Sequence, residues 1–377
     1  MRIMYVTDAL AIWGGLERVI VEKANYLAAL DGYEVFMLTI CQGGHPFPFP
    51  LDNKLTHVDL NIPFYAQYQY YGIRRLLSLR RLHHDCRKKL RQQLNDIIPD
   101  VIVCPRIEFI KDICKVKGDI PLMFESHSSF WTSRFEGAGL LRRLHTWWMN
   151  LSAKRTQAVV ALTEGDAAEW RKVNKSVYVI PNVVRVRREG ERREGERREG
   201  ERSAVFVGRL SRQKDIGSLL VIWQMVRRRH PDWQLHVYGE KGDIEESLWQ
   251  HLQEVGSGII VHPPTSDILT AYQQHAMLLL TSRYEPFGMV LPEAMSCGMP
   301  VVAFDCPYGP VDIITDGVDG FLVKGRDMKA FADKVCILIE NEELRRKMGQ
   351  MGIKTSERYR MDNIMPLWKK HFENLQR

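Results

Sequence analysis

The sequence predicts an α/β protein with two doubly wound, parallel-sheet domains. Short apolar runs alternate with amphipathic helical patterns along almost the whole of the 377 residues. The runs are continuously apolar, which is typical of parallel strands that helices cover on both faces. A stretch without apolar residues at 187–201 divides the runs into two series. Two such series indicate two domains of the same class.

The individual elements follow from the length and spacing of the apolar residues. Strands of the first series are expected at 2–7, 34–40, 101–104, 120–125, 157–162 and 177–180. Strands of the second series are expected at 204–208, 234–239, 258–262, 276–282, 300–304 and 320–323. Apolar residues three and four positions apart predict helices that include 16–30, 79–97, 215–229, 288–298 and 327–339.

The break between the two series sets the expected domain boundaries. We expect an N-terminal domain at 1–183, a charged linker at 184–203, a second domain at 204–358, and a last helix within 359–377 that packs back on the first domain. Residues 187–201 are three copies of Arg-Arg-Glu-Gly-Glu, in which the repeated Gly disfavours a helix and the lack of apolar residues favours a solvated linker. A nucleic-acid-binding arm is the alternative, although six glutamates offset eight arginines across 185–202.

Composition narrows the class of protein. Hydrophobic residues make up 45% and charged residues 26%, which excludes collagen-like and wholly disordered chains. The seven cysteines include no Cys-x-x-Cys pair, which argues against a zinc site or a disulfide framework and for a cytoplasmic location. No run approaches the length of a membrane-spanning helix. The net charge of +7 comes without a base-reading motif, so we expect no nucleic-acid partner.

A glycine-rich turn follows the first expected strand. The strand ends at Thr7, Trp13-Gly14-Gly15 lies in the loop, and a helix opens at Leu16. A strand, a glycine turn and a helix N-terminus form a common anion-binding geometry, because backbone N–H groups converge there. Neither the dinucleotide fingerprint nor the P-loop pattern is present. A plain tight turn therefore remains the alternative for this segment.

The second domain opens in a similar way, with a basic loop. Its first strand leads into Gly208-Arg209-Leu210-Ser211-Arg212-Gln213-Lys214. Arg209 and Lys214 can both point into one crevice, where Arg supplies a fork for phosphate oxygens and Lys a point charge. The pair suits a diphosphate, and a solvated basic loop is the alternative.

The most informative segment is 282–298, Ser-Arg-Tyr-Glu-Pro-Phe-Gly-Met-Val-Leu-Pro-Glu-Ala-Met-Ser-Cys-Gly. Pro292 is tolerated only in the first turn of a helix, so the helix should begin near 289–291. Glu285 then lies in the loop, where it can accept hydrogen bonds from sugar hydroxyls. Glu293 lies just inside the helix, where it can bind a ribose diol or simply complement the helix dipole. The backbone N–H groups expected to meet an anion are those of Phe287, Gly288, Met289 and Val290.

Together these segments resemble the retaining glycosyltransferases of family GT4. Glu285 and Glu293 match the E-x7-E signature of that family. The other matching segments are Gly14 to Val19, Ile180-Pro181-Asn182, Gly208 to Lys214, Ser282 to Gly288, Glu293 to Val302 and Gly317 to Val323. The resemblance covers nearly the whole chain. It implies the GT-B fold, in which two Rossmann-like domains face each other across a cleft, the first binding the acceptor and the second the nucleotide-sugar.

The resemblance also implies roles for the matching donor-side residues. Gly15 would approach the donor phosphates or the reacting centre through its backbone. Arg209 and Lys214 would hold the diphosphate and stabilise its developing charge. Glu285 would contact hydroxyls of the donor sugar, and Glu293 would contact the nucleotide ribose.

Histidines are expected in two different settings. His127 follows the strand 120–125 in Phe-Glu-Ser-His-Ser-Ser and resembles the active-site histidine of the family, which touches the donor sugar near the reacting carbon. A loop histidine with an incidental hydrogen bond is the alternative. His83 and His84 belong to a basic helix, and we expect both on its solvated face.

The implied reaction retains the configuration of the sugar, with the departing phosphate helping to remove the acceptor proton. The sequence contains no Asp-x-Asp, and Arg209 and Lys214 can do the electrostatic work of a metal ion. We therefore expect no metal and no cofactor beyond the nucleotide-sugar substrate. Segment 302–310 resembles the GT4 branch with bacterial galactosyl- and N-acetylgalactosaminyltransferases, which points to a UDP-sugar.

Residues 64–94 indicate where an acceptor or a membrane would bind. Five aromatic residues are followed by a helical pattern with eight cations and one acid. Its expected core-facing stripe comprises Leu79, Leu82, Cys86, Leu90 and Leu94. Aromatic and cationic side chains together suit the headgroups of an anionic membrane. A second candidate segment, 130–150, contains Phe130, Trp131, Phe135, Arg142, Arg143, Trp147 and Trp148.

Membrane contact would imply a lipid-linked glycan acceptor at the inner face of the plasma membrane, in surface-polysaccharide synthesis. An ordinary amphipathic helix beside an aromatic cluster is the alternative for these two segments. Two other functions also remain open: another GT-B enzyme, such as a sugar-nucleotide epimerase, and a scaffold that binds nucleotide-sugar without catalysis.

Overall fold

The computed structural model describes residues 1–130, 139–186, 202–254, 256–265 and 267–375. The Arg-Arg-Glu-Gly-Glu repeat at 187–201 and the aromatic residues Trp131 and Phe135 lie outside the described residues. The described chain divides into two units. The first unit comprises 1–130, 139–183 and 365–375, and the second comprises the described residues of 184–364. Within the described ranges, no helix has the length and apolar character needed to cross a membrane.

The first unit is built on a parallel sheet of seven described strands. These strands are β1 Arg2–Thr7, β2 Glu34–Thr39, β3 Thr56–Asp59, β4 Val101–Cys104, β5 Leu122–Glu125, β6 Ala158–Ala161 and β7 Val177–Val179, in the spatial order 3-2-1-4-5-6-7. The helices of this unit are α1 Gly15–Ala28, α2 Gly72–Ile97, α3 Ile110–Cys114, α4 Leu140–Asn150, α5 Glu164–Trp170 and α13 Met361–Leu375. Short 3-10 turns span Phe64–Gln69, Ile107–Phe109 and Leu151–Arg155.

The second unit is built on a parallel sheet of six described strands. These strands are β8 Ser203–Val207, β9 Gln234–Tyr238, β10 Ile259–His262, β11 Met277–Leu280, β12 Val301–Phe304 and β13 Gly320–Val323. Their spatial order is 10-9-8-11-12-13. The helices are α6 Ile216–Arg229, α7 Glu246–Leu252, α8 Ile268–Tyr272, α9 Val290–Ser296, α10 Pro310–Ile313, α11 Met328–Glu340 and α12 Glu342–Glu357, with a 3-10 turn at Lys324–Arg326.

Both sheets confirm the predicted fold class. Each predicted strand is present within about two residues of its expected ends, and every strand pair is parallel. In each unit the order of strands reverses beside the first strand, which is the arrangement of doubly wound nucleotide-binding sheets. Strands β1, β4, β5, β11 and β12 are buried almost throughout, which explains their continuous apolar runs.

The structure departs from the predicted elements in two places. Strand β3, Thr-His-Val-Asp, was not predicted because it lies at the sheet edge and three of its four residues are only half-buried. Its polar residues therefore give no apolar run. Helix α2 begins at Gly72, seven residues before the predicted start, because its exposed first two turns carry no core-facing stripe. Within the predicted stripe, Cys86, Leu90 and Leu94 are buried, whereas Leu79 and Leu82 are half-buried.

Helix α13 completes the core of the first unit. Trp368 and Phe372 are almost fully buried, and the Lys23 ammonium of α1 lies 4.0 Å from the centroid of the Trp368 ring. Tyr178 of β7 packs against His371 with ring centroids 4.0 Å apart. The last helix thus contacts both α1 and the far edge strand of the same unit.

Candidate active site

The second sheet brings two predicted segments to one point. Its strand order reverses between β8 and β11, and ligands of such sheets bind beyond the carboxyl ends of the strands at the reversal. The loop after β8 contains Arg209 and Lys214, and the loop after β11 contains Glu285. The fold therefore makes these loops neighbours although they lie far apart in the chain.

A short ion pair joins the two loops. Nζ of Lys214 lies 2.5 Å from Oε1 of Glu285, and the Ser282 hydroxyl donates to the same oxygen at 2.6 Å. Only 14% of the Lys214 side chain and 5% of the Glu285 side chain are exposed. Because water screens this pair poorly, each charge depends strongly on the other. The arrangement offers a cation for phosphate oxygens and a carboxylate for sugar hydroxyls within one small volume.

Arg209 is separate from this pair. Its side chain is exposed, and within the described part of the chain its guanidinium makes no hydrogen bond or ion pair. Backbone pairing of the next residue, Leu210, with Lys241 holds the loop in place. The guanidinium is therefore available to an anionic ligand, as the sequence predicts, but the structure does not join it to Glu285.

Sequence reasoning missed the network that holds the two loops together. Asp215 caps α6, and its carboxylate pairs with Arg326 and, at 3.3 Å, with Arg283. The Arg326 guanidinium also donates to the backbone oxygens of Ser282 and Thr281, at 2.9 Å and 3.2 Å. The Asp at a helix N-cap was a visible signal, but no local pattern connects it with an arginine 111 residues away.

The helix after the second loop begins where it was predicted. Helix α9 starts at Val290 with Met289 as its N-cap residue, and Gly288 before them has a φ of 86°. The side chain of Phe287 is buried, with its ring centroid 5.3 Å from that of Tyr359. At this position the backbone, and not the aromatic side chain, is what a ligand could contact.

Glu293 lies inside the same helix and is buried. It is 3% exposed, and the Tyr272 hydroxyl of α8 donates to its Oε2 at 3.5 Å. Only a small edge of this carboxylate is thus available to the ribose that the sequence analysis assigns to it.

Gly15 and His127 belong to the first unit. Helix α1 begins at Gly15, whose residue is exposed, and Gly14 precedes it. A Cβ atom on Gly14 would lie 2.0 Å from Oε2 of Glu17, so this position requires glycine. Glu17 is buried, its Oε1 lies 3.5 Å from the Arg106 guanidinium, and burial raises its pKa. A buried carboxylate therefore shapes the turn from within and leaves the Gly15 side open.

His127 is held against a buried carboxylate. It lies two residues beyond the end of β5, its side chain is 7% exposed, and its Nε2 is 2.8 Å from Oε1 of Glu125. Asp166 holds the loop by accepting hydrogen bonds from the Ser126 hydroxyl at 3.2 Å and the Phe130 N–H at 2.7 Å. Burial raises the pKa of Asp166 to about 6 even though these bonds favour its charged form.

The prediction that His83 lies on a solvated helix face is wrong. Its Nδ1 lies 2.5 Å from Oδ2 of Asp112, and its ring centroid lies 5.1 Å from that of Phe64. Arg87 donates to the other oxygen of Asp112 at 2.9 Å. These contacts pack α2 on α3, so His83 has a structural role, whereas His84 is exposed as predicted.

Two family profiles match consecutive parts of the chain. The profile described as "Glycosyltransferase Family 4" matches residues 13–188, and that described as "Glycosyl transferases group 1" matches residues 187–355. Together they span the glycine turn, His127 and the Lys214–Glu285 pair.

The chain belongs to the family 4 glycosyltransferases.

Full-length relatives agree with this assignment. The family 4 glycosyltransferase described here is 28% identical over 365 residues to an uncharacterized glycosyltransferase of Haemophilus influenzae, covering 94% of this chain and 95% of the relative. It is 31% identical over 235 residues to the amylovoran biosynthesis glycosyltransferase AmsD of Erwinia amylovora, covering 60% of this chain and 64% of the relative. The resemblance seen in the sequence is thus confirmed at the level of family and enzyme class.

Solved structures confirm the GT-B fold of this family 4 glycosyltransferase. A structure of S. aureus TarM in complex with Fondaparinux, alpha-GlcNAc-glycerol and UDP aligns with a TM-score of 0.78, covering 98% of this chain and 99% of that one. Sequence identity to TarM is 14%, so this likeness concerns the fold alone.

Proposed function

We propose that this chain is a retaining glycosyltransferase that moves a hexosyl unit from a UDP-sugar to a glycan or lipid-linked acceptor in bacterial surface-polysaccharide synthesis. The observation that carries the proposal is the Lys214–Glu285 ion pair at the strand reversal of the second sheet. Support for the pathway comes from AmsD, which is named for amylovoran biosynthesis. Support for the donor comes from TarM, which was crystallised with UDP.

The charges at the strand reversal suit a nucleoside diphosphate as leaving group. Cleavage of the sugar–phosphate bond leaves a negative charge on the diphosphate and a positive charge on the sugar ring. In our proposal, Arg209 and Lys214 stabilise the diphosphate, and Glu285 accepts hydrogen bonds from the sugar hydroxyls. Fixed charges in a poorly hydrated site stabilise such a transition state without reorganising. Glu293 is proposed to contact the ribose through its exposed edge.

The first unit is proposed to contribute Gly15 and His127. Gly15 would present its backbone N–H to the donor, and His127 would hydrogen-bond the donor sugar near the reacting carbon. The acceptor oxygen would attack the face that the phosphate leaves, and the departing phosphate oxygen would take the acceptor proton. Configuration at the reacting carbon is then retained.

We further propose that the first unit docks on an anionic membrane through an exposed surface of α2 and α4. On α2 and the turn before it, this docking surface comprises Tyr65, Tyr68, Tyr70, Tyr71, Ile73, Leu76 and Leu77, with Arg74, Arg75, Arg80 and Arg81 beside them. On α4 it comprises Leu140, Leu144, Trp147 and Trp148. Apolar and aromatic side chains interleaved with cations are typical of segments that lie in a headgroup region.

Contacts with α3 support treating the two helices as one surface. The Lys111 ammonium of α3 lies 2.8 Å from the centroid of the Trp148 ring of α4. The next residue, Asp112, bonds to His83 and Arg87 of α2. Helices α2 and α4 therefore flank the same short helix, and a membrane at this surface would favour a lipid-linked acceptor.

A donor panel tests the proposed activity. Purified full-length protein is incubated with UDP-, GDP- and ADP-sugars in the presence of EDTA, and release of nucleoside diphosphate is measured with and without a membrane extract as acceptor source. We expect release from one UDP-sugar and no loss of rate with EDTA, because Arg209 and Lys214 supply the positive charge. An epimerase would convert the UDP-sugar without releasing UDP, and a scaffold would bind UDP without any turnover.

Substitutions in the ion pair connect this activity to the site. We expect Glu285→Gln to lower kcat/KM about 100-fold or more, as losses of preorganised electrostatic contacts do, while the protein remains folded. Asp333→Asn is the matched control, since Asp333 lies in an exposed ion pair with Arg229 in the same unit. Wild-type kcat/KM in Glu285→Gln would contradict the assigned site.

A further inference from the structure

A buried group of charges lies behind His127. Lys23 of α1 and Glu125 of β5 form an ion pair in which each side chain is only 1% exposed. The same carboxylate oxygen, Oε1, lies 2.8 Å from Nε2 of His127. Lys23 and Glu125 are 102 residues apart in the chain, and neither was singled out by the sequence analysis.

The electrostatics keep this carboxylate charged. Burial alone would disfavour the ionised form of Glu125, but Lys23 and His127 outweigh it and lower the pKa of Glu125 to about 2. Burial lowers the pKa of Lys23, and Glu125 opposes that change. The charged groups closest to the His127 ring are Glu125 on β5 and, less directly, Glu17 on α1. An ionised Glu125 is thus the nearest fixed acceptor for the imidazole.

The geometry of the ion pair is poor for a purely structural role. Both Lys23 and His127 approach Oε1, while Oε2 of Glu125 and the hydroxyl of Tyr5 are buried and have no hydrogen-bond partner within the described residues. Buried ion pairs are often no more stabilising than well-packed apolar residues of the same size. A pair of charges kept at this cost beside a histidine of the site indicates a functional demand.

The carboxylate also selects one tautomer of the histidine. An imidazole nitrogen 2.8 Å from a carboxylate oxygen carries a proton, which leaves the other nitrogen with a lone pair. The N–H of Nε2 does not point straight at Oε1, and a small rotation of the ring aligns it. Oriented in this way, neutral His127 donates through Nε2 and accepts through Nδ1.

We propose that Glu125, anchored by Lys23, is a positioning residue that holds His127 with its Nδ1 ready to accept a hydrogen bond from a hydroxyl of the bound sugar. The proposal rests on the function proposed above, since it assigns His127 to the sugar. Lys23 adds a second link: it lies two turns along α1 from Gly15, so the ion pair ties the helix of the glycine turn to the strand that carries His127. Trp368 of α13 covers Lys23 and keeps water from the pair.

The test removes both charges together. Glu125→Gln alone would leave the Lys23 ammonium buried without a counter-charge, so the informative variant is the double change Lys23→Met with Glu125→Gln, which preserves size. We expect this double variant to fold, to lose at least tenfold in kcat and to keep the KM for the donor within about threefold, because loosened positioning acts mainly on the transition state. The control is Arg87→Met with Asp112→Asn, which removes another partly buried ion pair of the same unit, and we expect its kcat to stay within twofold of wild type.

A spectroscopic measurement gives an answer independent of turnover. Nitrogen-15 NMR of the imidazoles, with His127→Gln used for assignment, reports which ring nitrogen carries the proton. We expect a single Nε2–H tautomer in the wild type and a mixture of tautomers in the Lys23→Met, Glu125→Gln variant. The same tautomer and the same kcat in both proteins would overturn the proposal, as would wild-type kcat in His127→Gln. If the wild type releases no nucleotide from any donor, the proposed function fails, while the tautomers still decide whether Glu125 positions His127.

Discussion

At the scale of single residues, three histidines of the second unit bury imidazole rings side by side. His275 is 4% exposed, its Nδ1 lies 2.8 Å from the Ser203 hydroxyl, and its ring centroid lies 4.4 Å from that of His236. His236 in turn lies 2.9 Å from His262, nitrogen to nitrogen. Burial, helped by the two neighbouring histidines, lowers the pKa of His275 to about 3. Burial also lowers the pKa values of His236 and His262.

This cluster predicts loss of stability in acid. A histidine whose pKa is lowered in the folded state stabilises the protein fully above its unfolded pKa of about 6.5 and loses that contribution as the pH falls toward 3. Between these values the unfolded chain binds more protons, so His275 alone should remove about 1.4 kcal/mol of unfolding free energy per pH unit. Urea unfolding of His275→Asn between pH 7 and 5 should show a shallower pH dependence than the wild type. Equal slopes for the two proteins would contradict this reading.

Gly309 is a second single residue on which the site depends. Its N–H donates to the backbone oxygen of Glu285 at 3.0 Å, and a Cβ at this position would lie 2.1 Å from the backbone oxygen of Phe287. Gly309→Ala must therefore displace the loop that carries Glu285. We expect kcat/KM to fall at least about tenfold, since a shift of about 1 Å in a catalytic group is costly. Gly217→Ala is the control: it lies in α6, where the new Cβ would make only ordinary contacts.

At the scale of elements, helix α2 combines a buried and an exposed half. Its second half is anchored to the core by Cys86, Leu90 and Leu94. Its first half carries apolar residues in solvent, with Ile73 77% and Leu77 57% exposed. Positions 73 and 77 are one helical turn apart and so point the same way. An amphipathic helix of a purely soluble surface would carry polar residues at both.

Substitution of these two residues tests the docking surface. We expect Ile73→Ser with Leu77→Ser to weaken binding to phosphatidylglycerol vesicles about tenfold or more, because each buried apolar side chain contributes roughly 1.5–3 kcal/mol. Binding should also weaken with added salt, since Arg74, Arg75, Arg80 and Arg81 face anionic lipid. Val318→Ser with Leu367→Ser removes two other exposed apolar residues and serves as the control. Vesicle sedimentation that does not distinguish the two double variants would argue against a membrane at this surface.

At the scale of the whole molecule, the chain does not finish where its second sheet finishes. Residues 184–364 contribute the second unit, and the chain then returns to the first unit with the second part of α13. Trp368 is 1% exposed and covers Lys23, whereas its neighbour Leu367 is 40% exposed. The stability of the first unit therefore depends on residues at the opposite end of the chain.

Adjacent residues of α13 allow a matched test of this dependence. Trp368→Ala should lower the unfolding free energy of the first unit by about 3–5 kcal/mol, as other large-to-small changes in cores do, and should speed hydrogen exchange in β1 and β5. Leu367→Ala, one residue earlier, should change stability by less than about 0.5 kcal/mol. Equal effects of the two substitutions, or a loss of protection confined to the second unit, would be inconsistent with the packing described here.

The sequence by itself determined the two parallel sheets and the loops that carry Lys214, Glu285 and His127. Buried parallel strands need continuous apolar runs, and Pro292 limits where α9 can begin, so both leave local signals. The edge strand β3 escaped because its half-buried residues leave no such signal. The family resemblance extended the reading from loops to enzyme class.

Only the tertiary structure decided which charges meet. Lys23 pairs with Glu125 across 102 residues, Arg326 pairs with Asp215 across 111, and His83 bonds to Asp112 across 29. No periodicity links residues so far apart, because contacts of this kind depend on how strands and helices are ordered in space. Burial then sets the ionisation of these groups, and burial is a property of the folded chain, not of any local segment.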